Sequence, residues 1–326
     1  MRKGAPVGTR SPWLTFLLRR AIGLVGVLVT LVVVTFLMIQ LIPGDPARRV
    51  AGSDATPARI AEVRSELGLD QPLFVQFGDY VSGLLRGDLG TSFATSRPVA
   101  DLLGDRLPFT AELALLAIVV VLLVAVPLGM AIAVACRAGR RRSLDTAFTS
   151  ATALAGAVPE YVLGTLLILV FALGLGVLPS SGAATLSALL LPVIAVSVGP
   201  ICTLARIVRR ETASVLTQDF MRTARGRRLP ALRLYARHAL PNLLTSTLTL
   251  GGLILTGLLG GTVVVEYVFQ WPGLGSAAVG AIVARDYPVM QGIVLLLGLL
   301  AAVLNLLVDV VLGLLDPRTL NAKAGQ

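Results

Sequence analysis

The stretch L-A-L-L-A-I-V-V-V-L-L-V-A-V-P-L-G-M-A-I-A-V-A-C, residues 113–136, carries no charged side chain. A helix crosses the hydrocarbon core of a bilayer, about 30 Å thick, with roughly 20 apolar residues. The stretch is long enough to do so and therefore predicts a transmembrane helix.

The composition of the whole chain also indicates a membrane protein. The 326 residues are 55% hydrophobic and 14% charged, and the mean hydropathy is +0.84. These values lie outside the range of soluble domains. The chain is therefore predicted to be an all-α integral membrane protein.

Six transmembrane helices are predicted. The third is interrupted at Pro159-Glu160, so it is expected to start early or bend. The first is too long for a secretory signal and lacks an A-x-A cleavage site, which predicts an uncleaved anchor. The six predicted spans cover residues 21–42, 109–136, 146–178, 182–209, 239–266 and 287–315.

The distribution of arginine predicts the orientation of the spans. The chain has 28 basic and 18 acidic residues, a net charge of +10. The basic residues lie between apolar runs and not together on a polar surface, which excludes a nucleic-acid-binding protein. Short cytoplasmic segments of membrane proteins are rich in Arg and Lys. The N-terminal segment 1–20 and the tail 316–326 are therefore both predicted to be cytoplasmic.

The long connection between the first two spans, residues 43–108, is predicted to be external and to contain short helices. Thr56 and Pro57 suit the start of one helix, and Gly68 suits its end. A second helix is expected to lie with one apolar face on the membrane surface or on the spans. That face consists of Leu73, Phe77, Tyr80, Val81 and Leu84.

The sequence lacks the residues that catalysis needs. Its two lysines, Lys3 and Lys323, do not stand in a G-x-x-x-x-G-K-[ST] motif, so the chain is predicted not to hydrolyse ATP. The single histidine, His238, excludes a histidine metal cluster, and Cys136 and Cys202 are isolated. No catalytic residue, cofactor or metal site is therefore predicted, which leaves transport as the function.

The interrupted third span contains candidate pathway residues. Pro159 can kink the helix, and a carboxyl group at the depth of Glu160 is expected to face protein or water. With the neighbouring Tyr161, these residues are candidates for the lining of a solute pathway.

Other polar residues of the spans have simpler expected roles. Asn305, Asp309 and Asp316 share a face of the last span and are expected to form helix–helix or interfacial hydrogen bonds, with a transport role as the alternative. Glu112 and Glu266 lie at span ends and are expected to be solvated at the interface.

The arginine-rich cytoplasmic segment 214–238 has features of a docking element. Thr217 or Asp219 can cap a short helix, and Gly226 can end it. The small side chain of Ala224 among the arginines favours contact with a partner over a solvated loop.

This segment resembles the EAA loop of ABC-importer permeases, a coupling helix that sits in a groove of the ATPase subunit. The family usually reads R-T-A-R-A-K-G, whereas this chain has Arg228 at the last position and a glycine two positions earlier. The turn after the helix is therefore expected to be shifted or tighter. The resemblance implies that the ATPase contacts are made by Asp219, Phe220, Met221, Arg222, Thr223, Ala224, Arg225 and Gly226.

The similarity extends along nearly all of the chain, to the dipeptide, oligopeptide and nickel class of these permeases. The sequence A-V-P-E-Y at 157–161 is similar to the S-I-P-x-F pattern of the third span in that class. Further matching motifs are P-G-D-P at 43–46, L-G-L-D-Q-P at 67–72, G-D-L-G-T-S-F at 87–93, E-Y-V-F-Q-W-P-G-L-G at 266–275, R-D-Y-P at 285–288 and D-P-R at 316–318.

The resemblance implies the permease subunit of a type I ABC importer in the bacterial cytoplasmic membrane. The implied partners are a second homologous permease subunit, two ATP-binding subunits that hold ATP and Mg, and an extracytoplasmic solute-binding protein. Short peptides are the expected solute, with nickel, haem or another small solute as alternatives. The rival classes are an ion-driven secondary transporter, which would need no ATPase subunits, and a structural scaffold without substrate-dependent activity.

Four aromatic residues lie in or beside the external segment 267–286. Such residues are typical of the aromatic belt at a membrane–water interface. The alternative is an external gate. The four are Tyr267, Phe269, Trp271 and Tyr287.

Overall fold

A computed structural model describes residues 12–41, 45–52, 54–227 and 229–315. In that part of the chain the regular elements are helices, and one isolated antiparallel bridge joins Thr91 and Pro98. In chain order the α-helices are α1 (Pro12–Leu41), α2 (Pro46–Ala51), α3 (Pro57–Glu66), α4 (Leu73–Leu85), α5 (Val99–Ala135), α6 (Arg142–Ala157), α7 (Glu160–Leu167), α8 (Leu190–Val215), α9 (Asp219–Gly226), α10 (Ala231–Leu234), α11 (Leu240–Val268), α12 (Leu274–Ala284) and α13 (Tyr287–Leu315).

Five of these helices, α1, α5, α8, α11 and α13, are long and apolar enough to cross a membrane. The helix α5 begins at Val99, ten residues before the predicted start at 109, and it includes Pro108 and Pro127 in its interior. The helix therefore extends ten residues into the segment that was predicted to be a loop. The tail from residue 316, with its D-P-R motif, lies outside the described residues.

The third predicted span consists of two helices, Arg142–Ala157 and Glu160–Gly174, bent by 89° at their junction. The second of them is α7 with its π-helical continuation Ile168–Gly174. Val158 and Pro159 are in extended conformations, because a proline disfavours the helical conformation of the residue before it. The bend expected at Pro159 is therefore present. The described residues contain five apolar spans, or six if the bent pair counts as one span.

The main core lies between α5 and α8. Leu113, Ala117, Val121 and Ala125 of α5 are fully buried, together with Leu204 of α8 and its neighbours. Small side chains allow these helices to approach closely, as in other membrane bundles.

The closest approach of α5 to α8 is at Gly129, and it gives a testable prediction. A Cβ atom added there would lie 2.6 Å from the carbonyl oxygen of Ala205 and 2.9 Å from the Cβ of Val208. Gly129→Ala is expected to cost about 1–3 kcal/mol by overpacking, and so to lower the Tm of the purified protein. In the matched variant Gly26→Ala, the added Cβ meets nothing within 4 Å, and its Tm should be unchanged. Equal Tm values for the two variants would contradict the packing.

Polar residues of the last span bond to neighbouring helices, as expected. Thr256 of α11 donates to Asn305 Oδ1 at 3.1 Å, and Arg20 of α1 pairs with Asp309 at 2.6 Å. The third member of the predicted set, Asp316, lies outside the described residues.

The short helices between α1 and α5 agree in part with the sequence prediction. Thr56 caps α3, since its Oγ1 accepts the backbone N–H of Arg59 at 3.3 Å. Two residues of the predicted apolar face of α4 contact the first span: the ring of Phe36 lies 5.2 Å from Phe77 and 5.8 Å from Tyr80, centroid to centroid. Leu73 of the same face is 57% exposed. Between the two alternatives, α4 therefore lies on the spans.

Candidate functional sites: the coupling helix and the external turn

The short helix α9 occupies the predicted coupling segment, but its caps differ from the prediction. The N-cap residue is Gln218, in extended conformation and without a side-chain cap bond. Thr217 donates to the carbonyl of Ser214, and Asp219 is already the first helical residue. Gly226 is the last helical residue, as expected.

One face of α9 is buried against the rest of the chain. Met221 is 0% exposed and Ala224 is 6% exposed. Both side chains belong to an apolar cluster with Val215, Leu216, Leu234, Ala239 and Leu243. The chain's own residues therefore cover Met221 and Ala224, and their contact with the ATPase stays a prediction. Positions three apart share a helix face, and this face packs onto the membrane bundle.

Arg225 also belongs to the inner side of α9. Its Nη2 donates to the carbonyl of Leu216 at the end of α8. This bond and the packing of Met221 and Ala224 fasten α9 to the bundle. Arg225 therefore serves the attachment of the helix.

The opposite face of α9 is free to meet a partner. Phe220 is 39% exposed, and Thr223 lies one turn further along the same exposed face. Arg222 and Asp219 form an exposed ion pair at 3.3 Å. A large apolar side chain surrounded by polar ones is typical of a docking surface. Phe220, Thr223 and Arg222 are therefore the contact candidates that the structure retains, with the exposed Asp219 and Gly226 at the ends.

At the other end of the bundle, a buried carboxylate holds the turn between α11 and α12. Glu266 is 0% exposed. It accepts the Thr110 hydroxyl at 2.8 Å and the backbone N–H groups of Gly275 at 2.7 Å and Ser276 at 3.3 Å. The expected solvation of Glu266 at the interface is therefore wrong, and the carboxylate organises the turn.

Two glycines make room for this carboxylate. A Cβ atom at Gly273 would lie 2.3 Å from Glu266 Oε2, and one at Gly275 would lie 2.4 Å from the Cα of Val263. The close approach of the turn to α11 therefore requires glycine at both positions.

Three of the four aromatic residues are buried, so the belt interpretation is wrong for them. Phe269, Trp271 and Tyr287 are only 1%, 2% and 2% exposed. The indole N–H of Trp271 donates to the carbonyl of Phe109 at 3.0 Å. Tyr267, at 55% exposure, is the one that remains on the surface.

A second carboxylate, Asp286, ties the external loop to the start of α13. Its oxygens accept the Ser92 hydroxyl at 2.5 Å and the backbone N–H groups of Phe93 at 3.1 Å and Ala94 at 3.3 Å. The ring of Phe93 also contacts Tyr287. Sequence reasoning did not identify Asp286 as an anchor. The sequence did offer one signal for this contact. The motifs at 87–93 and 285–288, which contain Ser92 and Asp286, both match the permease class.

A cleft of about 720 Å³ opens beside this anchored turn. Its polar lining residues include Arg106 of α5, Thr165 of α7 and the exposed Tyr267. The cleft is large enough for a small solute. Tyr267 is thus the gate candidate that faces open space.

The candidate pathway residues lie at the bend of the third span. Glu160 is half-buried between α7 and α11, because a Cβ atom at Gly261 would lie 3.6 Å from its carboxylate. Pro159 and Tyr161 are exposed. None of these three lines the cleft beside Tyr267.

No group of three or more His, Cys, Asp or Glu side chains among the described residues could hold a metal ion. The cysteines Cys136 and Cys202 are free thiols.

Comparison with solved structures identifies the fold. An inward-facing structure of the MetNI methionine ABC transporter matches with a TM-score of 0.57 at 17% identity, over 66% of this chain and 96% of that one. The helical bundle therefore shares its fold with a chain of that transporter.

Comparison with known sequences covers nearly the whole chain. A protein of Brucella abortus (strain 2308) named as a peptide transport system permease protein is 39% identical over 310 residues, 93% of this chain and 98% of the relative. The glutathione transport system permease protein GsiC of Salmonella typhi is 39% identical over 304 residues, with the same coverage.

Two family models match successive parts of the chain. The N-terminal model of binding-protein-dependent transport system membrane components matches residues 13–114, which include the external loop. The model of the inner membrane component matches residues 125–321, which include α9 and the turn anchored by Glu266. Because the inner-membrane-component model covers more than half of the chain, the chain belongs to the family of binding-protein-dependent transport system inner membrane components.

Proposed function

We propose that this chain is the permease subunit of an ATP-driven importer that carries short peptides across the bacterial cytoplasmic membrane. The relatives at 39% identity are named as peptide and glutathione transport permeases, which supports the solute class. The observation that carries the proposal is the two-sided helix α9, fastened to the bundle on one face and exposing Phe220 on the other.

The proposed complex contains a second homologous permease, two ATPase subunits that bind ATP and Mg, and an external solute-binding protein. Phe220 and Thr223 of α9 would enter a groove of one ATPase subunit. The end of the bundle with α9 and both termini would then lie in the cytoplasm, in agreement with the arginine-rich segments there.

The attachment of α9 suggests how ATPase movement reaches the membrane. Met221, Ala224 and Arg225 pack α9 onto the end of α8 and onto the segment from Leu234 to Leu243, so a displacement of α9 would act on α8 and α11. At the external end, Glu266 and Asp286 keep the turn and the loop rigid. Rigid-body rocking of helices between inward and outward access is consistent with these fixed ends.

The solute would pass between the cleft at Tyr267 and the bend at Pro159. A peptide carries a terminal carboxylate, and the guanidinium of Arg106 in the cleft is suited to bind it. Glu160, nearer the middle of the span, would face the same route.

Arg106→Gln is expected to raise the KM of peptide uptake about ten-fold with little change in the maximal rate. The reason is that a charge-assisted hydrogen bond contributes about 1.5–3 kcal/mol. Uptake of a labelled peptide by the reconstituted complex measures both constants. The control Arg86→Gln changes an exposed external arginine that does not line the cleft. Equal KM values in the two variants would remove Arg106 from the solute site.

The proposed function is tested by reconstituting the chain with its partners in proteoliposomes. Uptake of labelled glutathione or another short peptide should require enclosed ATP and the solute-binding protein. Uptake driven by an ion gradient without ATPase subunits would overturn the proposal in favour of a secondary transporter.

A further inference from the structure

A cavity of about 400 Å³ lies beside α9, at the end of the bundle where α5, α6 and α8 meet it. Its lining is strongly basic. The charged lining residues are Arg137, Asp145, Arg209, Arg222 and Arg225, four positive charges against one negative, or a net charge of +3.

The arginines of this cavity are incompletely satisfied. Arg209 pairs with Asp145 at 2.6 Å, and Arg225 donates to the carbonyl of Leu216. The Nε atoms of Arg209 and Arg225 are nevertheless buried without a hydrogen-bond partner. Buried N–H groups without an acceptor are uncommon because they lose their bonds to water. Arg209 and Arg225 therefore hold more N–H donors than acceptors within the chain.

Positive charge is also concentrated within the cavity. Burial and the nearby charge of Arg137 both lower the pKa of Arg225. Arg137 itself has no carboxylate ion-pair partner among the described residues. A bound anion would reduce the electrostatic repulsion between Arg137 and Arg225.

The cavity lies at the C-terminal ends of two apolar helices, α5 and α8. Ala133 and Cys136, at the C-terminal end of the membrane helix α5, line it together with Ala213 and Leu216, at the end of α8. Basic pockets between membrane helices at a bilayer surface are suited to anionic headgroups, and guanidinium groups match phosphate oxygens in geometry.

We propose that this cavity binds a phosphate group, and that an anionic phospholipid of the surrounding leaflet supplies it. The phosphate accepts from Arg137, Arg209 and Arg225, so it connects the α5–α6 loop, α8 and α9. Bound lipid would therefore stiffen the attachment of α9 to the bundle. This inference does not depend on which solute is carried.

The test measures binding to the purified complex by native mass spectrometry. Three probes are compared: phosphatidylglycerol, phosphatidylcholine and inorganic phosphate. Phosphatidylglycerol should be retained in preference to phosphatidylcholine. Arg137→Gln should weaken its retention about five-fold, the effect of one basic residue near an anionic surface. The matched control is Arg233→Gln, since Arg233 is exposed and does not line the cavity.

Several outcomes would overturn the proposal. Equal retention of the two lipids, or retention that Arg137→Gln leaves unchanged, would exclude a headgroup site. Binding of inorganic phosphate without phosphatidylglycerol would exclude lipid as the source. Loss of ATPase subunits from Arg137→Gln with lipid retention intact would assign the cavity to an acidic ATPase side chain. If Arg137→Gln is unstable, Arg137→Lys is used instead. Lysine keeps the positive charge but lacks the paired N–H donors of a guanidinium, so this variant should bind phosphatidylglycerol more weakly than the unmodified chain.

Discussion

Glu266→Ala is expected to abolish uptake and to reduce strongly the amount of folded protein. The change leaves the Thr110 hydroxyl and the N–H groups of Gly275 and Ser276 without their acceptor in a buried site. Each buried donor left unsatisfied costs about 1–3 kcal/mol. The sum is a large part of the 5–15 kcal/mol that is typical of a folded domain. Thermal unfolding followed by size-exclusion chromatography measures the loss.

Two further variants sharpen this test. Glu266→Gln keeps an oxygen for Gly275 and Ser276 but removes the acceptor of the Thr110 hydroxyl, so its effect should be intermediate. Glu112→Ala is the control, because Glu112 is an exposed acid at the end of a neighbouring span. If Glu266→Ala matched Glu112→Ala in Tm and uptake, the carboxylate would not organise the external turn.

Phe220→Asp is expected to abolish uptake while the membrane chain stays folded. Phe220 is an exposed apolar residue on α9. A central aromatic contact of this kind contributes about 2–4 kcal/mol to association, and a carboxylate would also be desolvated in the groove. The number of ATPase subunits that copurify with the permease measures the effect directly. Copurification should be lost at an unchanged Tm of the permease.

Ala224→Glu, in contrast to Phe220→Asp, should lower the Tm of the permease itself. Ala224 is 6% exposed and packs within the chain, so a buried carboxylate there is expected to destabilise the permease itself by about 3 kcal/mol or more. Arg222→Ala removes only an exposed ion pair and should cost about 1 kcal/mol or less. A stable Ala224→Glu variant that loses only its ATPase subunits would contradict the assignment of the two faces.

The membrane spans were predictable because an apolar run of sufficient length is a local property of the sequence. The bend at Pro159 was predictable for the same reason, since proline restricts its own neighbours. The early start of α5 was not, because Pro108 inside a helix resembles a helix start when read alone.

The orientation of α9 was not predictable from its eight residues. Met221 and Ala224 form an apolar stripe that suits either an ATPase groove or the chain's own bundle. The choice depends on Leu234, Ala239 and Leu243, which lie beyond the helix. Family resemblance located the segment but not its inner and outer faces.

The anchors of the external end depend on contacts between distant parts of the chain. Glu266 meets Thr110 across 156 positions, and Asp286 meets Ser92 across 194. A single acid at a span end is usually solvated, so its burial follows only from the packed structure. The aromatic residues were misassigned for the same reason: Trp271 is buried by its contact with Phe109.

The central claim is that α9 turns Phe220 and Thr223 toward an ATPase subunit and keeps Ala224 within the permease. Thiol-to-amine cross-linking of the assembled complex tests it, using single cysteines at these three positions after Cys136 and Cys202 are replaced with Ala. The chain has only two lysines, at positions 3 and 323, so few products can form within it. Phe220→Cys and Thr223→Cys should cross-link to an ATPase subunit, whereas Ala224→Cys should not. Efficient cross-linking from Ala224→Cys, with none from Phe220→Cys, would contradict the claim.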